Sequence, residues 1–256
     1  MKAVVLSDLH LGSIFSIMPS LVIEPLLDGD YQEYEPNKLQ SWLKSECWNP
    51  FRDYVRSMKC KVGVMNGDGV DGINDRADSL GTWSSNIRIQ AGACVELLQE
   101  LGIKKWYIVN GTRYHTKKNP SGDELVAELL PKSEYVHQDF ILNANGNRLH
   151  IKHHHNQSST YYDFTSIFNE LNIIRMKHHQ YGEINGLIRS HTHSFKYAKT
   201  PEGMVLSTPC WKMRDEYSTR NMKWTPQIGG CVVDLKNLFV YDMIWTPKVN
   251  IKEVKA

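Results

Sequence analysis

The chain has 256 residues, a length at which roughly 70–75% of the unfolded surface can be buried in a core. Apolar residues make up 41% and charged residues 23% of the sequence, which excludes disordered and fibrous proteins. A formal charge of +2 is too small to attract nucleic acid by bulk electrostatics, so any anionic ligand must be recognised by local groups.

Cysteine usage and the first residues of the chain predict a reducing, cytoplasmic setting. The five cysteines are odd in number, widely spaced and form no Cys-x-x-Cys pair, which argues against a disulfide framework and against a thiolate zinc site. The opening residues, MKAVVLSDLHLGS, lack a long apolar region followed by a small-residue cleavage site. No run of about 18 apolar residues occurs anywhere, so we expect neither export nor membrane association.

The first predicted element is a buried strand at residues 2–7, where a short β-branched apolar run ends in a polar loop. Residues 13–36 show no clear period and are rich in Pro, Gly and acidic residues, which predicts a long excursion over the surface and a candidate lid. Between residues 38 and 58, apolar residues follow a three-four spacing that Pro50 interrupts. This spacing predicts one kinked helix or two.

Two further strands are predicted at residues 61–66 and 104–109, each followed by a helix. The second of these helices opens with a capping box formed by Ser121 and Glu124. Short strand-like runs then occur at residues 139–143, 148–153, 185–190, 204–208, 230–235 and 239–245. We therefore predict one α/β domain over residues 1–246, with two packed sheets and helices outside, followed by a charged tail at 247–256.

Polar segments that carry metal-ligand residue types follow several of the predicted strands. They are SDLHLG with Asp8 and His10, NGDGVDG with Asp68, NGTRYHT with His115, KHHHN with His153, and SHTHS with His191 and His193. Each triplet alone arises often by chance and usually marks a solvated loop. Carboxylate and imidazole donors that converge from separate strand ends would instead suit Mn²⁺, Fe or Zn²⁺. Two such cations, roughly 3.5–4 Å apart, turn a shared water into hydroxide and neutralise phosphoryl oxygens.

The ordered set of motifs resembles the calcineurin-like metallophosphoesterase family. The resemblance implies a four-layer αββα sandwich, in which two packed mixed sheets are flanked by helices and the site lies at the strand ends. It also implies that Asp68 bridges two divalent cations. The implied ligands are Asp8, His10, Asp68 and His193 for one cation, and Asp68, His153 and His191 for the other.

The third motif departs from the family pattern. The family has Gly-Asn-His followed by an acid, whereas this chain reads NGTRYH from Asn110 to His115, similar to a phage and bacterial branch with Gly-Thr-x-x-His. Thr112 then stands where the family has its Asn ligand, and we interpret it as a metal ligand or an orienting group. His115 is interpreted as the leaving-group acid or a donor to a phosphate oxygen, and Arg113 as a cation for a non-reacting phosphate.

Several alternatives stay open at this point. His154 could replace the adjacent His153 as the ligand, although strand alternation favours His153. Asp71 is interpreted as a turn or cap former beside Asp68, and not as a ligand. The aromatic and basic segment 211–224 is interpreted as a solvated loop that covers the site, in preference to a nucleic-acid platform.

The predicted function is hydrolysis of a phosphate ester with two bound divalent ions, Mn²⁺ favoured and Fe or Zn²⁺ as alternatives. Basic and aromatic residues near the third motif favour a phosphodiester, with a nucleotide or nucleic acid as the candidate substrate. One alternative is a phosphomonoesterase of the same fold. Another is a catalytically degenerate binding or scaffold subunit, for which Thr112 is the supporting residue.

Overall fold

The computed structural model describes residues 1–73, 81–112, 120–154, 165–201, 203–215 and 225–247. Its strands are β1 (Lys2–Leu6), β2 (Val22–Pro25), β3 (Tyr31–Tyr34), β4 (Val62–Asn66), β5 (Lys105–Val109), β6 (Ser133–Val136), β7 (Asp139–Ala144), β8 (Asn147–Lys152), β9 (Gly186–Arg189), β10 (Lys196–Thr200), β11 (Gly203–Ser207), β12 (Ile228–Asp234) and β13 (Phe239–Trp245). Its α-helices are α1 (Lys38–Trp42), α2 (Asn49–Ser57), α3 (Ile87–Glu100), α4 (Gly122–Leu129), α5 (Thr165–Met176) and α6 (His178–Tyr181).

The larger sheet has six strands in the order β13-β12-β1-β4-β5-β6. Strands β1, β4, β5 and β6 run parallel, whereas β12 and β13 are antiparallel to their neighbours. Val5 of β1 lies beside Val64 of β4, and Val64 lies beside Tyr107 of β5. Because β1 is central and covered on both faces, it can be an uninterrupted apolar run.

The smaller sheet has five strands in the order β10-β11-β9-β8-β7. Its three inner strands, β11, β9 and β8, are parallel, and both edge strands pair antiparallel to them. Both sheets are therefore mixed. In each of them, parallel central strands point their carboxyl ends toward the same edge.

Apolar side chains alternate between the two faces of each sheet and so define four layers. Val4 and Leu6 of β1 pack toward the layer that contains α2 and α3, whereas Ala3 and Val5 face the second sheet. On the second sheet, Leu187 packs under α5 and its neighbour Ile188 faces the first sheet. The predicted four-layer αββα sandwich is confirmed.

The first helical region is a continuous helix in which a π-helical stretch, Leu43–Trp48, joins α1 to α2. Pro50 is the second residue of α2, directly after the π-helical stretch. The wider π turn absorbs the register change that a proline imposes. Of the two predicted alternatives, one kinked helix or two, the chain adopts one helix with a local widening. This helix buries Trp48 and Phe51 against the larger sheet.

Residues 13–36 differ from the predicted surface excursion. Ile17 and Met18 are fully buried and belong to the core under α2, so the first part of this segment is structural. The second part is the β2–β3 hairpin, whose tip exposes Leu26 and Leu27. The lid role stays a prediction.

Short or half-exposed elements were not predicted from the sequence. They are the hairpin strands β2 and β3, the edge strands β6 and β10, and the helices α5 and α6. The strands β2, β3, β6 and β10 and the helix α6 have only four or five residues, too few to show a period. Helix α5 does have a helical period, with Ile167, Leu171 and Ile174 buried on one face, and it was not predicted. The division into a domain and a tail stays a prediction. Among the described residues, no helix has both the length and the apolar character that crossing a bilayer requires.

Two glycines test the packing of the larger sheet. A Cβ at Gly63 of β4 would overlap the indole of the fully buried Trp106, whereas Gly92 of α3 has open space around it. Gly63→Ala is expected to destabilise the protein by about 1–3 kcal/mol through overpacking. Gly92→Ala is expected to stabilise it by about 1 kcal/mol through helix propensity. Urea unfolding of both variants checks these signs, and equal effects would contradict the packing described here.

Candidate metal centre

The proposed ligands come from loops that follow four parallel strands of the two sheets. Asp8 follows β1, Asp68 follows β4, His153 follows β8, and His191 and His193 follow β9. Two groups of donor atoms form there, and within each group all donor atoms lie within 4.8 Å of one another. The first group is Asp8, His10 and His193, and the second is Asp8, Asp68, His153 and His191. All six side chains that the sequence singled out as carboxylate or histidine ligands on these loops meet in one place.

Left-handed backbone marks five of these six residues. The φ angles are 52° at Asp8, 50° at His10, 54° at Asp68, 72° at His191 and 54° at His193. A non-glycine residue in this region costs roughly 1–2 kcal/mol. Such strain persists only where the surrounding structure imposes it, and it concentrates at functional sites. A left-handed residue also bends the backbone sharply after each of these strands. The bend directs the side chains of the loop toward the site.

In the first group, three donor atoms face one another. Oδ1 of Asp8 lies 3.2 Å from Nε2 of His193 and 3.8 Å from Nε2 of His10. The two imidazole Nε2 atoms are 3.3 Å apart. A carboxylate oxygen and two imidazole nitrogens thus converge on a volume of the size that one divalent cation occupies.

A chain of buried polar groups fixes the ring of His10. Its Nδ1 lies 3.1 Å from Oδ1 of Asp71, and the same oxygen accepts a hydrogen bond of 2.9 Å from Nζ of Lys212. A carboxylate paired with an ammonium group can only accept, so Nδ1 of His10 donates to it and Nε2 is directed toward the site. Asp71 therefore orients a proposed ligand, and its predicted role as a turn or cap former stays a prediction.

The second group contains both carboxylates. Oδ2 of Asp68 lies 3.1 Å from Nε2 of His153, and Nδ1 of His153 is 2.6 Å from the backbone oxygen of Asn66. Because a carbonyl oxygen only accepts, Nδ1 of His153 is the donor and Nε2 points toward the carboxylates. Oδ2 of Asp8 accepts the backbone N–H of His191 at 3.2 Å, which leaves Oδ1 for the site.

Two buried atoms test whether these residues suit a metal. Oδ1 of Asp8 and Nε2 of His153 are both buried and have no hydrogen-bond partner with good geometry among the described residues. Leaving such an atom unsatisfied costs about 1–3 kcal/mol, more when it is charged. Divalent cations in the two groups would satisfy both atoms at once, and the mixed oxygen and nitrogen donors suit Mn²⁺, Fe²⁺ or Zn²⁺. The residues fit the implied cofactor.

Protonation in the metal-free protein follows from the same crowding. Burial lowers the pKa of His153, but Asp68 and Asp8 outweigh it and raise that pKa to about 9. Burial likewise lowers the pKa of His193, while Cys210 and Asp8 raise it well above its ordinary value.

Two other groups of the site have lowered pKa values. Burial raises the pKa of Asp8, but His193 and His153 lower it below the ordinary range. His191 has a pKa of about 4, lowered by burial and then by His153.

The described part of the third motif contacts Asp68. The backbone N–H of Thr112 donates to Oδ1 of Asp68 at 2.7 Å, and the Thr112 hydroxyl lies 3.3 Å from each Asp68 oxygen. Oδ1 of Asn110 instead accepts a hydrogen bond from the hydroxyl of Ser121 at 3.1 Å. Arg113 and His115 lie outside the described residues, so their roles stay predictions.

Two interpretations near the site need correction. His154 is exposed, but it does not point away from the site as strand alternation implied, because its ring centre is 4.5 Å from that of His191. In the segment 211–224, Trp211 is fully buried against Trp48, and Lys212 is buried in its ion pair. The start of this segment is therefore structural and not a solvated covering loop, and residues 216–224 lie outside the described residues.

Sequence reasoning missed three residues that support the ligands. In the sequence, Lys212 belongs to an aromatic and basic segment, and Asn66 is the end of a predicted strand. Asp123 is buried beside Asp68, and its pKa is raised to about 6 by burial first and by Asp68 second. The available signal for Asp123 was an acid in the first turn of a capped helix, which a helix dipole explains equally well.

Comparisons with known proteins gave similarities only at the level of structure. No family model matches the chain, and no curated protein matches it by sequence. An archaeal phosphodiesterase is 8% identical with a TM-score of 0.49, covering 96% of this chain and 100% of its own. Vps29 from Entamoeba histolytica, solved with Zn²⁺, is 10% identical with a TM-score of 0.48, covering 96% and 99%.

A third solved structure, Vps29 from Chaetomium thermophilum, is 11% identical with a TM-score of 0.47, covering 96% of this chain and 98% of its own. The compared proteins thus include a phosphodiesterase and a protein crystallised with zinc. At these identities the function of the chain has to be inferred from its own residues.

Strain at the ligand turns can be measured by paired substitutions. At His191, with φ of 72°, the glycine variant is expected to be more stable than the alanine variant by about 1 kcal/mol, because alanine keeps the left-handed penalty. His153 is outside the set of positive-φ residues, so there glycine should be less stable than alanine by about 0.5–1 kcal/mol. Chemical unfolding of the four metal-free variants checks this. The same order at both positions would contradict imposed strain.

Cation binding should release protons at neutral pH. The pKa of His153 is raised to about 9, and that of His193 is raised well above the ordinary value of 6.5. His153 must therefore lose a proton at pH 7.5 to act as a ligand, and the raised pKa of His193 works in the same direction. We expect release of at least one proton and an affinity that rises from pH 7 to pH 9. Titration calorimetry with Mn²⁺ in buffers of different ionisation enthalpy measures this release. Heats that do not depend on the buffer would contradict it.

Proposed function

We propose that the chain is a metal-dependent phosphoester hydrolase that holds two divalent cations at the edge shared by its two sheets. The observation that carries this proposal is the convergence of two carboxylates and four imidazoles. Oδ1 of Asp8 and Nε2 of His153 are buried there, 3.2 Å from Nε2 of His193 and 3.1 Å from Oδ2 of Asp68, but neither makes a well-aligned hydrogen bond among the described residues. The mixed carboxylate and imidazole donors suit Mn²⁺, Fe²⁺ or Zn²⁺, and we propose Mn²⁺ as the first candidate.

When bound, the cations supply Lewis acidity to phosphoryl oxygens and make water a nucleophile at neutral pH. The protein contributes fixed positions for the donors. Asp71 holds the ring of His10, and the Asn66 carbonyl holds the ring of His153, so both Nε2 atoms point into the site before any cation arrives. Low exposure of Asp8 and Asp68 strengthens their attraction for cations relative to an open surface.

The shared ligand is part of the proposal. The family resemblance implies that Asp68 bridges the cations, whereas Asp8 is the residue that belongs to both donor groups. Changing the bridging residue should remove both ions, and changing the other carboxylate should remove mainly one. Metal content of Asp8→Asn and Asp68→Asn therefore identifies the bridge.

The substrate is proposed to be a phosphodiester, with a nucleotide or nucleic acid as the candidate. Arg113 is proposed to pair with a non-reacting phosphate and His115 to protonate the leaving oxygen. Trp211 and Lys212 no longer support this preference because both are buried. A phosphomonoester is the alternative substrate. The proposal includes a reducing, cytoplasmic setting, supported by five cysteines that are all unpaired.

A degenerate binding or scaffold subunit is the second candidate function. The observation that favours it is Thr112, whose hydroxyl is a weaker metal ligand than the amide oxygen that the family has there. Its contacts of 3.3 Å with both Asp68 oxygens support an orienting role. A scaffold would have no need for strained ligand turns, which favours the hydrolase.

Metal-supported turnover separates these functions. Protein loaded with Mn²⁺ is expected to hydrolyse bis-p-nitrophenyl phosphate faster than p-nitrophenyl phosphate and to carry about two ions per chain. Asp68→Asn should lower kcat/KM by about 100-fold or more and reduce metal content, with an unchanged circular dichroism spectrum. His115→Ala should lower kcat by about 10²–10⁴-fold and leave metal content unchanged.

Matched controls are Asp53→Asn and His179→Ala, because both residues are on the surface. They should retain wild-type activity and metal content. One bound ion without turnover would favour the scaffold. Loss of a cation from His115→Ala would overturn the role assigned to that residue.

A further inference from the structure

Asp123 lies in the first turn of α4, between the loops that carry Asp68 and Thr112. Only 1% of the residue is exposed. Its Oδ1 accepts the backbone N–H of Gly69 at 2.8 Å, and its Oδ2 accepts the N–H of Gly111 at 2.8 Å and that of Asp68 at 3.2 Å. One side chain thus connects the loop after β4 with the loop after β5.

The backbone at Asp68 explains why a carboxylate fits there. Gly67 has φ of 83° and Asp68 has φ of 54°, so the chain turns and presents the successive N–H groups of Asp68 and Gly69 toward the same side. Successive N–H groups arranged in this way form a concavity that binds an anion. The buried carboxylate of Asp123 occupies this concavity, and charge-assisted hydrogen bonds make the contact stronger than neutral ones.

The contact with Gly111 also fixes the position of the Asp68 side chain. Asp123 holds the N–H of Gly111, and the next N–H, that of Thr112, donates to Oδ1 of Asp68 at 2.7 Å. The two loops approach so closely that a Cβ at Gly111 would overlap Oδ1 of Asp68. A shift of either loop would therefore turn the Asp68 carboxylate away from His153.

We propose that Asp123 is a positioning residue for the metal centre, and that it fixes the Asp68 carboxylate by clamping the two loops together through their backbone N–H groups. Its described hydrogen bonds are to backbone and not to ligand side chains, so it acts through Asp68 and Thr112. The inference rests on the proposed function, because it concerns the affinity for the same cations.

The test compares two neighbouring acids of the same helix turn. Asp123→Asn preserves size but puts an NH₂ group against at least one backbone N–H, so one hydrogen bond is lost. Glu124→Gln is the matched control, since it removes the same charge one residue further on, and its side chain serves the capping box at Ser121 and not the site. Both full-length proteins are titrated with Mn²⁺ by calorimetry and examined by electron paramagnetic resonance.

Asp123→Asn is expected to bind Mn²⁺ about 10- to 100-fold more weakly, with a spectrum of isolated ions in place of the magnetically coupled pair of the wild type. Glu124→Gln should match the wild type in both measurements. A purely structural role would lower thermal stability and leave affinity and coupling unchanged, and that result would overturn the inference. Wild-type protein that binds neither Mn²⁺ nor Zn²⁺ in the same titration would contradict the proposed function and this inference with it, whereas equal binding by wild type and Asp123→Asn contradicts the inference alone.

A measurement on the unaltered protein covers the case in which Asp123→Asn does not fold. Backbone amides that donate to a buried carboxylate should exchange slowly with solvent. The amide protons of Gly69 and Gly111 are therefore expected to be protected in the folded, metal-free wild type. Rapid exchange at both positions would overturn the inference.

Discussion

Two carboxylates and four imidazoles share one mostly buried volume, and the rest of the site depends on how their charges are balanced. Without cations, the balance comes from protons on His153 and His193, whose pKa values lie above the ordinary one. Oδ1 of Asp8 and Nε2 of His153 still find no hydrogen-bond partner with good geometry among the described residues. Buried unsatisfied groups and strained left-handed turns concentrate at functional sites, where a bound ligand compensates for their cost. Divalent cations are the ligand that these donors suit.

The fold assembles these groups by bringing the ends of parallel strands from two sheets to a common edge. A line of buried hydroxyl and amide groups connects the sheets directly beneath the ligands. The hydroxyl of Ser7 is 2.6 Å from that of Thr208, which is 2.7 Å from that of Ser190, and Ser190 accepts from Nδ2 of Asn66 at 2.7 Å. Such a network is strong only when its members are satisfied together, so it holds β1, β4 and β9 in a fixed relation. The turns that carry the ligands follow these strands directly, so the same network fixes their positions.

The sequence predicted what local patterns can encode. Buried strands and the polar residues that follow them identified Asp8, Asp68 and the histidines, because the carboxyl ends of parallel strands lie at the same edge of a sheet. The supporting residues were out of reach for physical reasons. Lys212 meets Asp71 across 141 positions of the chain, and nothing near Lys212 in the sequence distinguishes a buried ion pair from an exposed cation. In the sequence, Asp123 has the position of an acid that stabilises the start of a helix. Its contacts with the loops after β4 and β5 depend on the fold, which brings those two loops together.

Two separate sets of contacts hold the ligands in place. Lys212 and Asp71 hold the ring of His10, and Asp123 holds the backbone at Asp68. The central claim is that these groups are arranged for two cations. Anomalous diffraction from crystals grown with Mn²⁺ measures this most directly. We expect two peaks roughly 3.5–4 Å apart, one among Asp8, His10 and His193 and the other beside Asp68, His153 and His191. Crystals that show no anomalous peak at this edge, with Mn²⁺ present only on surface carboxylates, would contradict the account.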